Sequence, residues 1–146
     1  MNYQKILSRA KNEKASINQT IGTLIIFHKA EIVNKVRTRW ILGKDPNGGI
    51  IGTYRNKDYR AFKVVANSKA NGLVDLTLTG ALGNKLTVRK KGNKEFEIFS
   101  TDWKFEHISE KYGLEQFNLS ASEQQDLFNM LFIKVLEKYL MRVWLV

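Results

Sequence analysis

Among its 146 residues the chain has no cysteine, a single proline and only two histidines. Without cysteine there are no disulfides, no thiolate nucleophile and no cysteine-ligated zinc. This fits a reducing compartment, or a particle assembled in one. With His28 and His107 alone, a multi-histidine metal site is disfavoured. No run reaches the roughly 18 consecutive apolar residues that a membrane span needs. The opening MNYQKILSRAKNEK lacks the apolar centre of a cleavable signal. The expectation is a soluble protein that meets no membrane and is not exported by such a signal. Acidic residues are scarce in one half only. Residues 1–69 hold fourteen Lys/Arg against four Asp/Glu, whereas residues 70–146 hold ten of each. The whole excess of +10 therefore lies in the first half, a polarity that marks a face meeting an acidic partner, either nucleic acid or an acidic protein surface. A solvated basic face with no dedicated partner gives the same pattern.

What is present suffices for a core. Hydrophobic residues make up 43% of the chain and aromatics 11%, and one domain of this length buries about 70% of its unfolded surface. The expectation is a single domain, 1–146. From Ile17 the apolar positions Ile17, Ile21, Leu24, Ile25, Ile32, Val36 and Trp40, with His28 among them, follow helical spacing. Ser16 is a candidate N-cap, and His28 reads as a partly buried core histidine. Residues 1–14 read as a flexible arm or a short first helix. Gly43 ends the helical pattern, and residues 44–52 (KDPNGGIIG) cannot continue it. Residues 43–63 then read as a long basic loop rich in tyrosine. A connection of that length is functional or orders on binding. The bland alternative lays it on its own domain through Ile50, Ile51 and Phe62.

The most informative stretch is LVDLTLTGALGNKLTV, residues 73–88. Residues 73–78 read as a strand, Thr79-Gly80 as a break, and residues 85–90 as a second strand. Thr79 offers a capping hydroxyl, and Gly80 offers unusual dihedrals. Lys91-Gly92-Asn93-Lys94 reads as a hairpin turn into EFEIFS, residues 95–100, with Phe96 and Ile98 on one face and Glu95 and Glu97 on the other. A further strand over residues 62–66 is possible by pattern. Residues 103–111 read as a short helix closed by Gly113. Ser120 or Ser122 caps a last helix; with Ser120 as the N-cap, Glu123 falls at the third helical position and forms a capping box. That helix runs to about Arg142 and is apolar around too much of its circumference to be a simple surface helix. The fold class expected is α+β: a small antiparallel sheet of three to four strands packed against a long N-terminal and a long C-terminal helix.

This order of elements resembles the virion-morphogenesis and tail-completion proteins of tailed bacteriophages, which join head to tail at the neck or tail tube. The likeness covers roughly residues 15–140. Thr79-Gly80-Ala81-Leu82 resembles the family's Thr-Gly-small-Leu element between strands. Gly52-Thr53-Tyr54 resembles its Gly-Thr-aromatic entry to a basic segment, and residues 105–113, ending EKYG, the element before an exposed loop. Phe117-Asn118-Leu119-Ser120 with Glu123 resembles the start of its last helix, although Glu115-Gln116 stand where the family usually has an Arg-Pro or Pro-Arg pair. The resemblance implies a structural virion protein, located in the neck or tail and assembled in the host cytoplasm. It implies a homo-oligomeric ring touching other neck or tail proteins, close to DNA in the channel, with no enzymatic activity, cofactor, metal or small-molecule substrate.

Two other classes compete with it. A small basic nucleic-acid-binding protein would use the basic helix and the Tyr-rich loop, though no recognised module pattern is present. A carboxylate-metal nuclease would need Asp75, Asp102, Glu95 and Glu97 to converge. The residues expected to carry protein–protein contacts are Lys29, Lys35, Arg37, Arg39, Tyr54, Arg55, Lys57, Tyr59 and Arg60.

Overall fold

The computed structural model describes residues 3–77, 79–91 and 95–144. The first element is α1 (Tyr3–Phe27), followed after one residue by α2 (Lys29–Ile41). Residues 3–14 continue α1 as regular helix, and Ser16 lies inside it rather than capping it. The hydroxyls of Ser16 and Thr20 instead reach Tyr139 Oη at 3.1 and 2.9 Å. The expected apolar stripe runs on through both helices and is buried at Ile32, Val36 and Trp40, with Val33 buried beside it. Its interruption is at His28 (φ −92°, ψ 18°), whose Nδ1 lies 3.0 Å from Glu31 Oε2.

Gly43 ends the helical run as expected. Its φ of 66° belongs to the left-handed region, and a Cβ there would stand 2.8 Å from that of Leu73, so glycine serves both the turn and the close approach. The expected 43–63 loop divides in two. Asp45 organises the first part: its Oδ1 accepts from the N–H groups of Asn47 (2.8 Å) and Gly49 (2.9 Å), and Lys44 bridges to Ile50. The second part is helical, α3 (Lys57–Ala66), N-capped by Asn56, whose side chain accepts from the Tyr59 N–H at 2.9 Å. Residues 62–66 are therefore helix and not strand.

Residues 73–77 also depart from expectation. Leu73 makes one antiparallel bridge to Thr53, and the extended run then stops because Leu76 adopts φ 51°. A left-handed leucine is sterically costly, and it follows directly on the fully buried Asp75. Leu78 and the hairpin turn at residues 92–94 lie outside the described residues. Gly80, at φ 70°, opens the short helix α4 (Ala81–Asn84). Thr79 contributes a long 3.4 Å bond to the Ala81 N–H rather than a helix cap.

The sheet is an antiparallel hairpin of β1 (Leu86–Lys91) and β2 (Glu95–Ser100), in register Leu86↔Ser100 through Lys91↔Glu95. Among the described residues it has two strands, fewer than the three to four expected. Its faces divide as the alternation requires. Phe96 and Ile98 pack on the core, while Glu97 pairs across the ladder with Arg89. The helix α5 (Lys104–Tyr112) ends at Gly113, and a 3-10 turn, Leu114–Phe117, follows. The capping box at Ser120 is complete and starts α6 (Ala121–Leu127). A π-helical turn, Phe128–Phe132, carries the chain into α7 (Ile133–Trp144).

One cluster joins these pieces: Ile32, Val36 and Trp40 from α2, Leu82, Leu86 and Val88 around the hairpin, and Phe117, Leu127 and Leu131. Phe117 stands edge-on to Trp40 at 5.2 Å and to Phe105 at 4.6 Å. Around it most polar groups are paired, although Arg39 Nε and Gln116 Oε1 are buried without a hydrogen-bond partner among the described residues. Trp40 Nε1 donates to the Gln116 carbonyl at 3.0 Å. Arg39 donates to the same carbonyl, to that of Asn118 and to Glu123 Oε2 at 2.5 Å. Arg39 thus locks the start of α6 to α2.

Arg39→Ala takes the guanidinium away from the Glu123 carboxylate and the Asn118 carbonyl, while Trp40 Nε1 still satisfies the Gln116 carbonyl. The substitution is expected to cost about 3–5 kcal/mol in urea unfolding, the range for breaking a buried ion pair. Ser120→Ala, which loses only the cap, is expected to cost about 1 kcal/mol. Similar costs for the two variants would contradict this assignment.

Candidate functional site

A buried ion pair organises the most distinctive local structure. Lys63, on the inner side of α3, and Asp75, before the left-handed Leu76, meet at 2.6 Å with side chains 2% and 0% exposed. The remaining capacity of the carboxylate is also used. Asp75 Oδ2 accepts from Asn67 Nδ2 at 2.7 Å, and Oδ1 from the Thr77 N–H at 3.1 Å and the Tyr54 hydroxyl at 3.3 Å. Asn67 Nδ2 also donates to the Ile41 carbonyl, so the end of α2 joins the same network. Burial is the largest influence on Asp75 and opposes its ionisation. The hydrogen bonds from Lys63, Asn67 and the Thr77 N–H outweigh it and hold the carboxyl below its ordinary range. Burial, and then the Asp75 charge, push the Tyr54 phenol well above its ordinary value.

Above this network opens a half-enclosed cleft of about 840 Å³. One wall is the stretch Tyr54, Arg55, Asn56 and Tyr59. The other is α5, through Lys104, His107 and Lys111, and the floor includes Leu76, Thr77 and Thr79. Tyr54 and Tyr59 hold each other edge-to-face at 5.0 Å, so the first wall is a fixed surface. Asp75 is the one carboxylate among the described lining residues, and Lys63 already neutralises it. Arg55, Lys104 and Lys111 therefore give the cleft an uncompensated positive charge. Sequence reasoning missed Lys104, His107 and Lys111, whose common signal was their i, i+3, i+7 spacing on one side of a helix.

The expected contact residues separate into two groups. Tyr54, Arg55 and Tyr59 line the cleft, and Lys29, Lys57 and Arg60 are exposed. The others serve the fold. Arg39 is buried, the Arg37 Nε donates to the Gly83 carbonyl at 2.6 Å, and Lys35 pairs with Asp126 at 3.1 Å. Arg39 is thereby corrected from contact surface to internal clamp. The four carboxylates considered for metal chemistry do not converge: Asp75 belongs to Lys63, Asp102 to Lys85 and Glu97 to Arg89 and Lys91, while Glu95 is exposed.

A second feature is apolar surface left uncovered on the long helices. Phe128, Met130, Ile133, Leu140 and Met141 are exposed along the C-terminal segment, and Ile6, Leu7, Ile26 and Phe27 along α1. Comparison with protein-family models, curated proteins and solved structures gave no match to the chain.

The Asp75 network makes a pH-dependent contribution of defined sign. The folded-state carboxyl is held below its unfolded value of about 3.9. Its stabilisation is therefore fully present above that pH and is lost as pH falls through the folded value. Asp75→Asn is expected to flatten the acid limb of a stability–pH profile. Lys63→Met, which leaves the carboxylate buried alone, is expected to cost about 3–5 kcal/mol at neutral pH. The double variant should cost less than Lys63→Met. An unchanged acid limb in Asp75→Asn would contradict the assignment.

Proposed function

We propose that this chain is a structural virion protein of a tailed bacteriophage, built into a ring at the neck or tail by protein–protein contacts and catalysing no reaction. The observation that carries this reading is the uncovered apolar side of the C-terminal segment. Five large side chains, Phe128, Met130, Ile133, Leu140 and Met141, are 38–62% exposed there. Completing their burial is stabilising in proportion to the apolar area covered, and several large apolar side chains left part-exposed along one segment suit an interaction surface. Head-to-tail contacts between identical copies close into rings when the rotation permits. The resemblance of residues 15–140 to tail-completion proteins supplies the biological setting, and the cleft supplies a second, polar contact region.

The alternative, a small nucleic-acid-binding protein, is favoured by one observation, the joint presence of Arg55, Lys104, Lys111 and three tyrosines around the cleft. It is the weaker reading. Tyr54 and Tyr59 are engaged with each other, and Tyr54 with Asp75, so neither ring is free to stack a base on both faces. A filter-binding series separates the two. Nucleic-acid binding would give tight association at physiological salt that falls steeply with added salt; the structural reading expects weak binding there.

Copy number is the direct test. Quantitative mass spectrometry of particles containing this chain is expected to find a ring complement of several copies. One or two copies per particle would refute the ring.

A further inference from the structure

We propose that the cleft between the Tyr54–Tyr59 wall and α5 is the receiving half of a head-to-tail contact. The inserted half is a stripe of the next copy made of Trp103, Glu106 and Glu110. This rests on the ring reading above and names the surfaces that would build it.

The two halves are carried by the same helix. Lys104, His107 and Lys111 face the cleft. Trp103, Glu106 and Glu110 follow the same i, i+3, i+7 spacing, turned about 100° around the axis. The stripe is unused within the chain. Trp103 is 80% exposed, Glu106 and Glu110 are exposed, and neither carboxylate has an ion-pair partner among the described residues. The Lys104 Nζ lies 5.4 Å from the Trp103 ring centroid. An exposed tryptophan is a residue type enriched in interface hot spots, and the two carboxylates beside it give the stripe a charge signature.

The cleft has the complementary composition. It offers the cations Arg55, Lys104 and Lys111 against a single, already neutralised carboxylate. Its tyrosines and Leu76 and Ile108 supply an apolar bed for an indole. Its volume of about 840 Å³ is that of a ligand pocket rather than an extended strand track. The buried Lys63–Asp75 pair fixes Tyr54, so little ordering is left to be done when the cleft is filled. Because donor and receiver are different surfaces, each copy offers one of each. The contact therefore propagates instead of stopping at a pair.

The test uses the full chain in sedimentation velocity over a concentration series. Two variants are made outside the core, Arg55→Glu with Lys111→Glu in the cleft and Trp103→Ala with Glu110→Lys on the stripe. Circular dichroism and thermal unfolding verify that both stay folded. Wild type is expected to grow beyond a dimer with concentration, and each variant to weaken self-association at least tenfold. An equimolar mixture of the two variants should recover binding but stop at one-to-one, since only one intact donor and one intact receiver can meet. Wild type that stays monomeric or stops at a dimer, variants that associate as wild type does, or a mixture that fails to pair would each overturn the contact. So would a single-stranded oligonucleotide whose binding is lost only in the cleft variant. These outcomes leave the ring reading to the copy number in particles.

Discussion

The buried contact between Lys63 and Asp75 is the constraint on which the less regular part of this molecule depends. Two opposite charges are taken out of water together, and each would be intolerable alone. Meeting that requirement draws α3 down onto residues 73–77 and brings Asn67 within reach of the end of α2. It also leaves the Tyr54 hydroxyl aimed at the carboxylate. Leu76 accepts a left-handed backbone in the same turn. Replacing such a pair with apolar residues is often neutral for stability, so its value lies in specifying one arrangement. Here that arrangement is the fixed tyrosine wall of the cleft.

The same pair explains where sequence reading failed. Elements with ordinary periodicity were legible: the apolar stripe through Trp40, the alternation Phe96 and Ile98 against Glu95 and Glu97, the stop at Gly43 and the capping box at Ser120. The helix α3 was not, because the residue buried on its inner side is a lysine, which a hydrophobic pattern scores as exposed. Residues 73–77 read as a strand for the converse reason. Val74 is buried as a strand residue would be, but Asp75 beside it is also buried, and the two cannot both point inward from regular extended backbone. The backbone there is accordingly not a regular strand. Only a partner distant in sequence, Lys63, reveals it.

Charge bias was informative in sign and misleading in address. The first half is strongly basic, yet Arg37, Arg39, Lys35 and Lys63 spend their charge inside the molecule, on a carbonyl, on Glu123, on Asp126 and on Asp75. Of the cations left over, Arg55 meets Lys104 and Lys111 from the balanced second half at the cleft. That site is a product of topology, since residues 53–59 and 104–112 are brought together only when the chain between them folds.

The central claim is that the cleft and the uncovered apolar helix sides are contact surfaces filled by neighbouring subunits. Amide hydrogen exchange compared between the free protein and assembled particles tests it most directly. The account predicts that residues 54–59, 104–112 and 128–144 gain protection on assembly while the Trp40–Phe117 core is unchanged. Exchange in those three segments that is the same in both states would contradict it.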